Sequence, residues 1–259
     1  VFVKRIESIA PASLLPLLYA SEQTSGWNRG MRAITHALLA GVTLPDGALV
    51  EVGCGGGQLL AEIQEHYPTR LVIGIDLHPA ALAHAQQHLH DQVAPGQGSL
   101  VQAALPVLPL GEGEVALLMA LDVFDQQGVE MDAALAESYR VLRSGGALVM
   151  RVSAHPSLYG AHDLAFHTGQ RYTRRQLFDA LLRAGFVVQR LTYVNSLLAL
   201  PVAALRLAHR WGLLAWHEEF YQQRILHAIA KRLLRQEALW LYHNNLPWGL
   251  SLCAVARKP

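Results

Sequence analysis

The chain has 259 residues, 52% of them hydrophobic and 16% charged, with a net charge of +1. That balance excludes a disordered chain and a broad nucleic-acid footprint, and it leaves enough apolar material for one large core carrying an insertion. The two cysteines, Cys54 and Cys253, cannot by themselves make a disulfide framework or a four-ligand zinc site, which fits a reducing, cytoplasmic setting.

In chain order, the opening VFVKRIESIAPASLLPLLYA sets Lys4 and Arg5 ahead of an apolar run, as a signal peptide would. Glu7, Pro11 and Pro16 interrupt that run, so a surface or lid segment is expected. No stretch of bilayer length is free of charges, so no spanning helix is expected. A helix around Met31 to Leu39 completes an N-terminal helical arm over residues 1–45. From there strand-like and helix-like stretches alternate, as a parallel sheet with crossover helices requires. ALVEV (48–52) is followed by QLLAEIQEHY (58–67), and LVIGID (71–76) by a helix with Pro79 in its first turn. SLVQA (99–103) is a short third strand, and VALLMAL (115–121) is apolar throughout, as a strand buried on both faces would be. A helix over 130–142 stops before Gly145 and Gly146, and ALVMRVS (147–153) follows. Thr173 with Gln176 makes a capping box for the helix that Gly185 ends; FVVQRLTYV (186–194) and LSLCAVARK (250–258) are strands six and seven.

Residues 195–246 read as a helical insertion between the last two strands, too long for an ordinary connection. Leu226, Ile229, Leu233 and Trp240 fall at helical spacing, with Arg224, Lys231, Arg232 and Arg235 mostly off that stripe. The expected role is packing on the domain or on a partner, with a lid or a peripheral membrane contact as alternatives.

The glycine-rich stretch VEVGCGGGQ (50–58) narrows the ligand. A phosphate-binding P-loop needs Lys followed by Ser or Thr after the glycines, and Gln58 and Leu59 stand there instead. A dinucleotide fingerprint fails at Gln58, where a third glycine or alanine is required. Glu51, just before the turn, would repel a pyrophosphate and attract an ammonium group. Cys54 lacks ligand-spaced neighbours and is expected to pack; no metal site is expected, His84, His88 and His90 reading as the solvated face of a crossover helix.

Glu51-x-Gly53-x-Gly55-x-Gly57 after an apolar strand resembles motif I of the class I S-adenosylmethionine-dependent methyltransferases, and IGIDLHP (73–79) supplies the acidic strand end, Asp76, that the family uses. LPVLPL (105–110), MALDVFD (119–125), YRVLRSGGALVMRVSAHP (139–156), His162-Asp163, Gln170-Arg171-Tyr172-Thr173 and Ala184-Gly185-Phe186 follow in the order of the methyltransferase type 11 group. The resemblance covers roughly residues 27–201 and the final strand. It implies a single α/β domain over residues 1–259: a Rossmann-like three-layer sandwich, its seven-stranded sheet mostly parallel with the last strand antiparallel. It also implies methyl transfer from S-adenosyl-L-methionine to a small-molecule acceptor. The apolar insertion and arm suggest a covered, lipophilic acceptor.

On the same resemblance, Gly53, Gly55 and Gly57 admit the methionyl end of the cofactor, Glu51 draws its amino group, Asp76 accepts the ribose hydroxyls and Leu77 packs on the adenine. Gln102, Ala103 and Leu121 complete that wall. The acceptor side is expected over residues 122–130, 154–172 and Trp27 to Arg29, with Tyr159, His162, His167 and Arg171 in the pocket, His155 the first choice of base, and Arg29 a surface group. Ala104, Val115-Ala116 and Gln126 depart from the family's acidic and histidine positions. They motivate the alternative of a non-catalytic binding or assembly module with a degenerate site. The lack of a basic patch or an Asn-Pro-Pro-Tyr type motif speaks against nucleic acid as substrate.

Overall fold

In the computed structural model the described residues are 25–92, 96–210 and 224–259. The expected N-terminal surface or lid segment, residues 1–20, lies outside them. The elements are α1 (Gly26–Leu39), β1 (Ala48–Val52), α2 (Gln58–His66), β2 (Val72–Asp76), α3 (Pro79–Gln92), β3 (Gly98–Gln102), β4 (Val115–Leu121), α4 (Met131–Val141), β5 (Leu142–Ser153), α5 (Ala161–Ala165), α6 (Arg174–Arg183), β6 (Val187–Val194), α7 (Ala199–Arg210), α8 (Arg224–Leu241) and β7 (Ser251–Arg257).

The seven strands form one sheet in the order β3-β2-β1-β4-β5-β7-β6. β1 is parallel to β2 and β4, β2 to β3, and β4 to β5, while β7 runs antiparallel to β5 and β6. The helical insertion sits between β6 and β7. Val115 to Ala120 of β4 are fully buried, which explains why this strand carries no polar residue: helix layers cover both of its faces. Val50, Ile75, Leu118 and Met150 face a core with Leu135 of α4 and Leu177 of α6, while Leu49, Val72, Leu117 and Met119 face Ile34 of α1, Leu60 of α2 and Leu234 of α8.

The second half of the insertion belongs to that outer layer. α8 lies against α1 so closely that a Cβ on Gly30 would stand 2.5 Å from Leu234 Cβ. The buried stripe of α8 is Leu234, Glu237, Ala238 and Leu241, while Ile229 and Trp240 are exposed. The stripe expected from hydrophobic spacing is thus turned around the helix. The cause is Glu237, an acid that hydropathy places outside: its carboxylate accepts the backbone N–H of Asn195 and Ser196 (2.5 and 2.8 Å) where the chain leaves β6. Burial raises its pKa above the usual range against those hydrogen bonds. No described helix is long and apolar enough to cross a membrane.

Candidate active site

The carboxyl ends of β3, β2, β1 and β4 stand side by side at the point where the strand order reverses, the position where open α/β sheets bind ligands. At the end of β1 the chain folds over β2: Gly53 N and Cys54 N both donate to Ile75 O (2.7 and 3.1 Å). The turn needs positive φ at Gly53 (+74°), Gly55 (+50°) and Gly57 (+77°), where side chains are strained. Packing adds a second requirement. A Cβ on Gly53 would stand 2.6 Å from Val123 Cγ2, and one on Gly57 3.1 Å from Ala85 Cβ of α3. Cys54 is buried beneath the turn, its sulfur filling the space a Cβ on Gly74 would need.

Asp76 ties this turn to β2. Its Oδ2 accepts Gly55 N–H at 3.0 Å and its Oδ1 accepts His78 N–H at 2.9 Å. A carboxylate oxygen accepts two hydrogen bonds, so each retains a lone pair for a vicinal diol. Glu51 is buried at the end of β1, paired in register with Gly74 and Met119. Gln102 is exposed, and its side chain donates to Leu77 O at 3.1 Å, closing the β2 and β3 ends together. Ala103 N donates to Asp76 O, and Leu77 and Leu121 are half-buried on either side of the glycine turn.

On the other flank, the loop after β4 is built on two acids. Asp122 adopts φ +59° and pairs with Arg151 of β5 (Nε to Oδ1, 2.8 Å). Burial works against the Arg151 cation, but the Asp122 carboxylate outweighs it and raises its pKa. Asp125 is 1% exposed; its Oδ2 accepts Ser153 N–H at 2.8 Å, and its Oδ1 has no hydrogen-bond partner among the described residues. Burial first, and Asp122 second, push its carboxyl up to about 6 against the Ser153 hydrogen bond. Sequence reading passed over this residue because its partner lies in another strand. Its only signal was its place in MALDVFD, at the end of β4.

The excursion after β5 lies on that loop: Gln127 N donates to His167 O, Gly169 N to Asp125 O, and Gln126 bridges Thr168. His155, at φ +61°, stacks on Tyr193 (5.3 Å between ring centres), and its Nε2 stands 2.9 Å from Gly249 O. A carbonyl only accepts, so Nε2 carries the hydrogen and Nδ1 is the nitrogen left to take a proton. Tyr159 Oη donates to Thr168 O. His162 stacks on Phe166, and burial together with Arg171 pushes its pKa down to about 4, so it is neutral at physiological pH. His167 is half-buried at φ +54°.

Two residues expected in the pocket have contacts that bind the fold together. Arg171 is buried and gives its guanidinium to Asp163 Oδ1 (Nη2 at 2.7 Å, Nε at 2.9 Å) and to Ala154 O (2.8 Å). Those bonds fix the excursion. Trp27 packs against the α1 and α8 side of the core. Among the described residues no His, Cys, Asp and Glu group could hold a metal ion.

A family model described as a methyltransferase domain matches residues 49–146, the span from β1 through the turn that opens β5. Among curated proteins, the malonyl-[acyl-carrier protein] O-methyltransferase of Hahella chejuensis is 28% identical over 192 residues, which is 68% of this chain and 67% of that protein. Among solved structures, the putative methyltransferase bound to the Haloferax volcanii Trm112 methyltransferase activator superposes with TM-score 0.62 at 16% identity, over 94% of both chains. The [4+2]-cyclase SpnF gives the same TM-score at 20% identity, over 90% of this chain and 83% of that one. At these identities the two structures speak for the fold alone.

Proposed function

We propose that the chain is a class I S-adenosylmethionine-dependent methyltransferase acting on a small-molecule acceptor, and that Glu51, the 53–57 turn and Asp76 hold S-adenosylmethionine. In the same reading the acceptor lies over residues 122–128 and 154–167. One observation carries the cofactor assignment: both oxygens of Asp76 are oriented by backbone N–H groups and keep a lone pair each, beside a turn whose glycines leave the backbone bare. Glu51 supplies negative charge on the methionyl side, where an ammonium group is favoured. The residues present therefore fit the cofactor.

When bound, the sulfonium supplies a methyl group that is already activated, so the protein's task is alignment in a dry pocket. The Asp122 and Arg151 pair and the Asp125 to Ser153 bond hold the loop beneath the acceptor; the Asp163 and Arg171 pair holds the excursion above it. A base is needed only for an acceptor that must lose a proton, and we assign that role to His155 Nδ1. The Hahella chejuensis relative is named as an O-methyltransferase, which supports an oxygen nucleophile. Leu164, Phe166, Leu197 and Leu200 leave large apolar surface exposed on the excursion and at the start of the insertion, and this supports a lipophilic acceptor.

The test is calorimetric titration with S-adenosylmethionine and with its demethylated product, followed by labelled methyl transfer to fatty acids and to phenols. Binding of neither cofactor form would end this reading. His155→Gln should slow transfer to phenols, which need deprotonation, and leave transfer to carboxylates unchanged. Equal loss on both would remove the base assignment.

A further inference from the structure

We propose that the cleft between α1, α2, α3 and α8 is a binding site for a phosphoryl anion. The cleft has a volume of about 540 Å³ and is lined by Arg29, Arg32 and His36 of α1, Gln58 and Glu62 of α2, His88 of α3, and Lys231 and Arg235 of α8. Among the described residues four permanent cations and one carboxylate line it, in a chain whose net charge is only +1. That carboxylate is already committed. Glu62 accepts Arg32 Nε at 2.7 Å and bonds His36 Nε2 at 2.9 Å, and although burial pushes its pKa up, those two bonds hold it below the usual range. Lys231 and Arg235, one turn apart on α8, make no ion pair or hydrogen bond through their side chains among the described residues.

Excess positive charge gathered from two helices, α1 and α8, raises the local concentration of anions. Guanidinium groups present paired donors that match a phosphoryl group, and an ammonium adds a point charge. The volume suits a phosphorylated small molecule. Because these residues are scattered through the chain, no run of basic residues announces the site. The cleft does not depend on the methyl-transfer reading, but Gln58 opens α2 directly behind the glycine turn, so the two sites are neighbours.

The experiment is titration of the full chain with inorganic pyrophosphate, at low and high salt, for the native protein and for Lys231→Gln with Arg235→Gln. Lys231 is half-buried and Arg235 exposed, neither belongs to the core, and melting temperature checks the fold. The native protein should bind pyrophosphate, more weakly as salt rises, and the double variant should lose about ten-fold or more in affinity with unchanged affinity for S-adenosylmethionine. No pyrophosphate binding, equal binding by the variant, or a matching loss of S-adenosylmethionine affinity would each overturn the assignment. Co-sedimentation with phosphatidylcholine vesicles, with and without phosphatidylglycerol, separates the sources. Sedimentation with anionic vesicles that the double variant loses assigns the phosphoryl group to a lipid headgroup, and its absence alongside pyrophosphate binding assigns it to a soluble anion.

Discussion

Asp125→Asn tests the electrostatics of the loop after β4. In the folded protein the carboxyl is raised from 3.8 to about 6, so the native state binds more protons than the unfolded chain between those values. Stability therefore falls as pH rises through this window, and above pH 6 the full penalty, on the order of 3 kcal/mol, is present. Asparagine has nearly the same shape, and its Oδ1 can keep the Ser153 N–H bond, but it does not titrate. Its amide nitrogen replaces the oxygen that has no partner, and leaving that donor unsatisfied costs ~1–3 kcal/mol at every pH. The informative quantity is therefore the change in the difference. Chemical denaturation of both proteins at several pH values should show the variant gaining about 2 kcal/mol on the native protein between pH 4.5 and pH 8. A constant difference across that range would refute the buried-charge account of this loop.

Asp76→Ala removes the acceptor of two backbone N–H groups and of the proposed ribose hydroxyls; titration should show S-adenosylmethionine binding weakened by about ten-fold or more, since hydrogen bonds to charged groups contribute ~1.5–3 kcal/mol each. Unchanged affinity would mean that the ribose lies elsewhere. Gly53→Ala places a Cβ 2.6 Å from Val123 Cγ2 at φ +74°, so a melting-temperature drop is expected, and Val123→Ala in the same chain should recover the steric part but not the strain at φ. Arg171→Met leaves buried Asp163 with the Gly160 N–H and, among the described residues, Arg206 at 3.6 Å as its one cation, and denaturation should report a loss of ~3–5 kcal/mol. Cofactor affinity of the folded variant should be unaltered, because Arg171 holds the excursion and touches no part of the glycine turn.

How much of this was legible in the sequence follows the range of the interactions. β1, β2 and β4 are apolar runs bounded by turn residues, so their existence, type and order could be read directly, and a crossover helix between parallel strands followed from connection length. The glycine turn and Asp76 were legible for the same reason: the constraint at Gly57, which caps α2 in the left-handed region, is local to a few residues. The insertion was legible as helical but not in its orientation. A hydrophobic periodicity cannot anticipate that Glu237 turns inward, because its partners are the backbone N–H groups of residues some forty positions away.

The proposed acceptor side shows the same limit in a sharper form. Asp125, Asp163 and Glu237 are each no more than 2% exposed, and each secures the segment beyond a different strand end: Asp125 by accepting Ser153 N–H, Asp163 by accepting Gly160 N–H and Arg171, Glu237 by accepting the N–H groups after β6. A segment held this way depends on a buried carboxylate and its few hydrogen bonds, not on the identity of the residues between. Gln126 and Thr168, Tyr159 and His167 then have freedom to vary with the acceptor. The proposed cofactor side is shaped by backbone with no room for a Cβ at Gly53 and Gly57, and the proposed acceptor side by buried carboxylates and the few hydrogen bonds they accept.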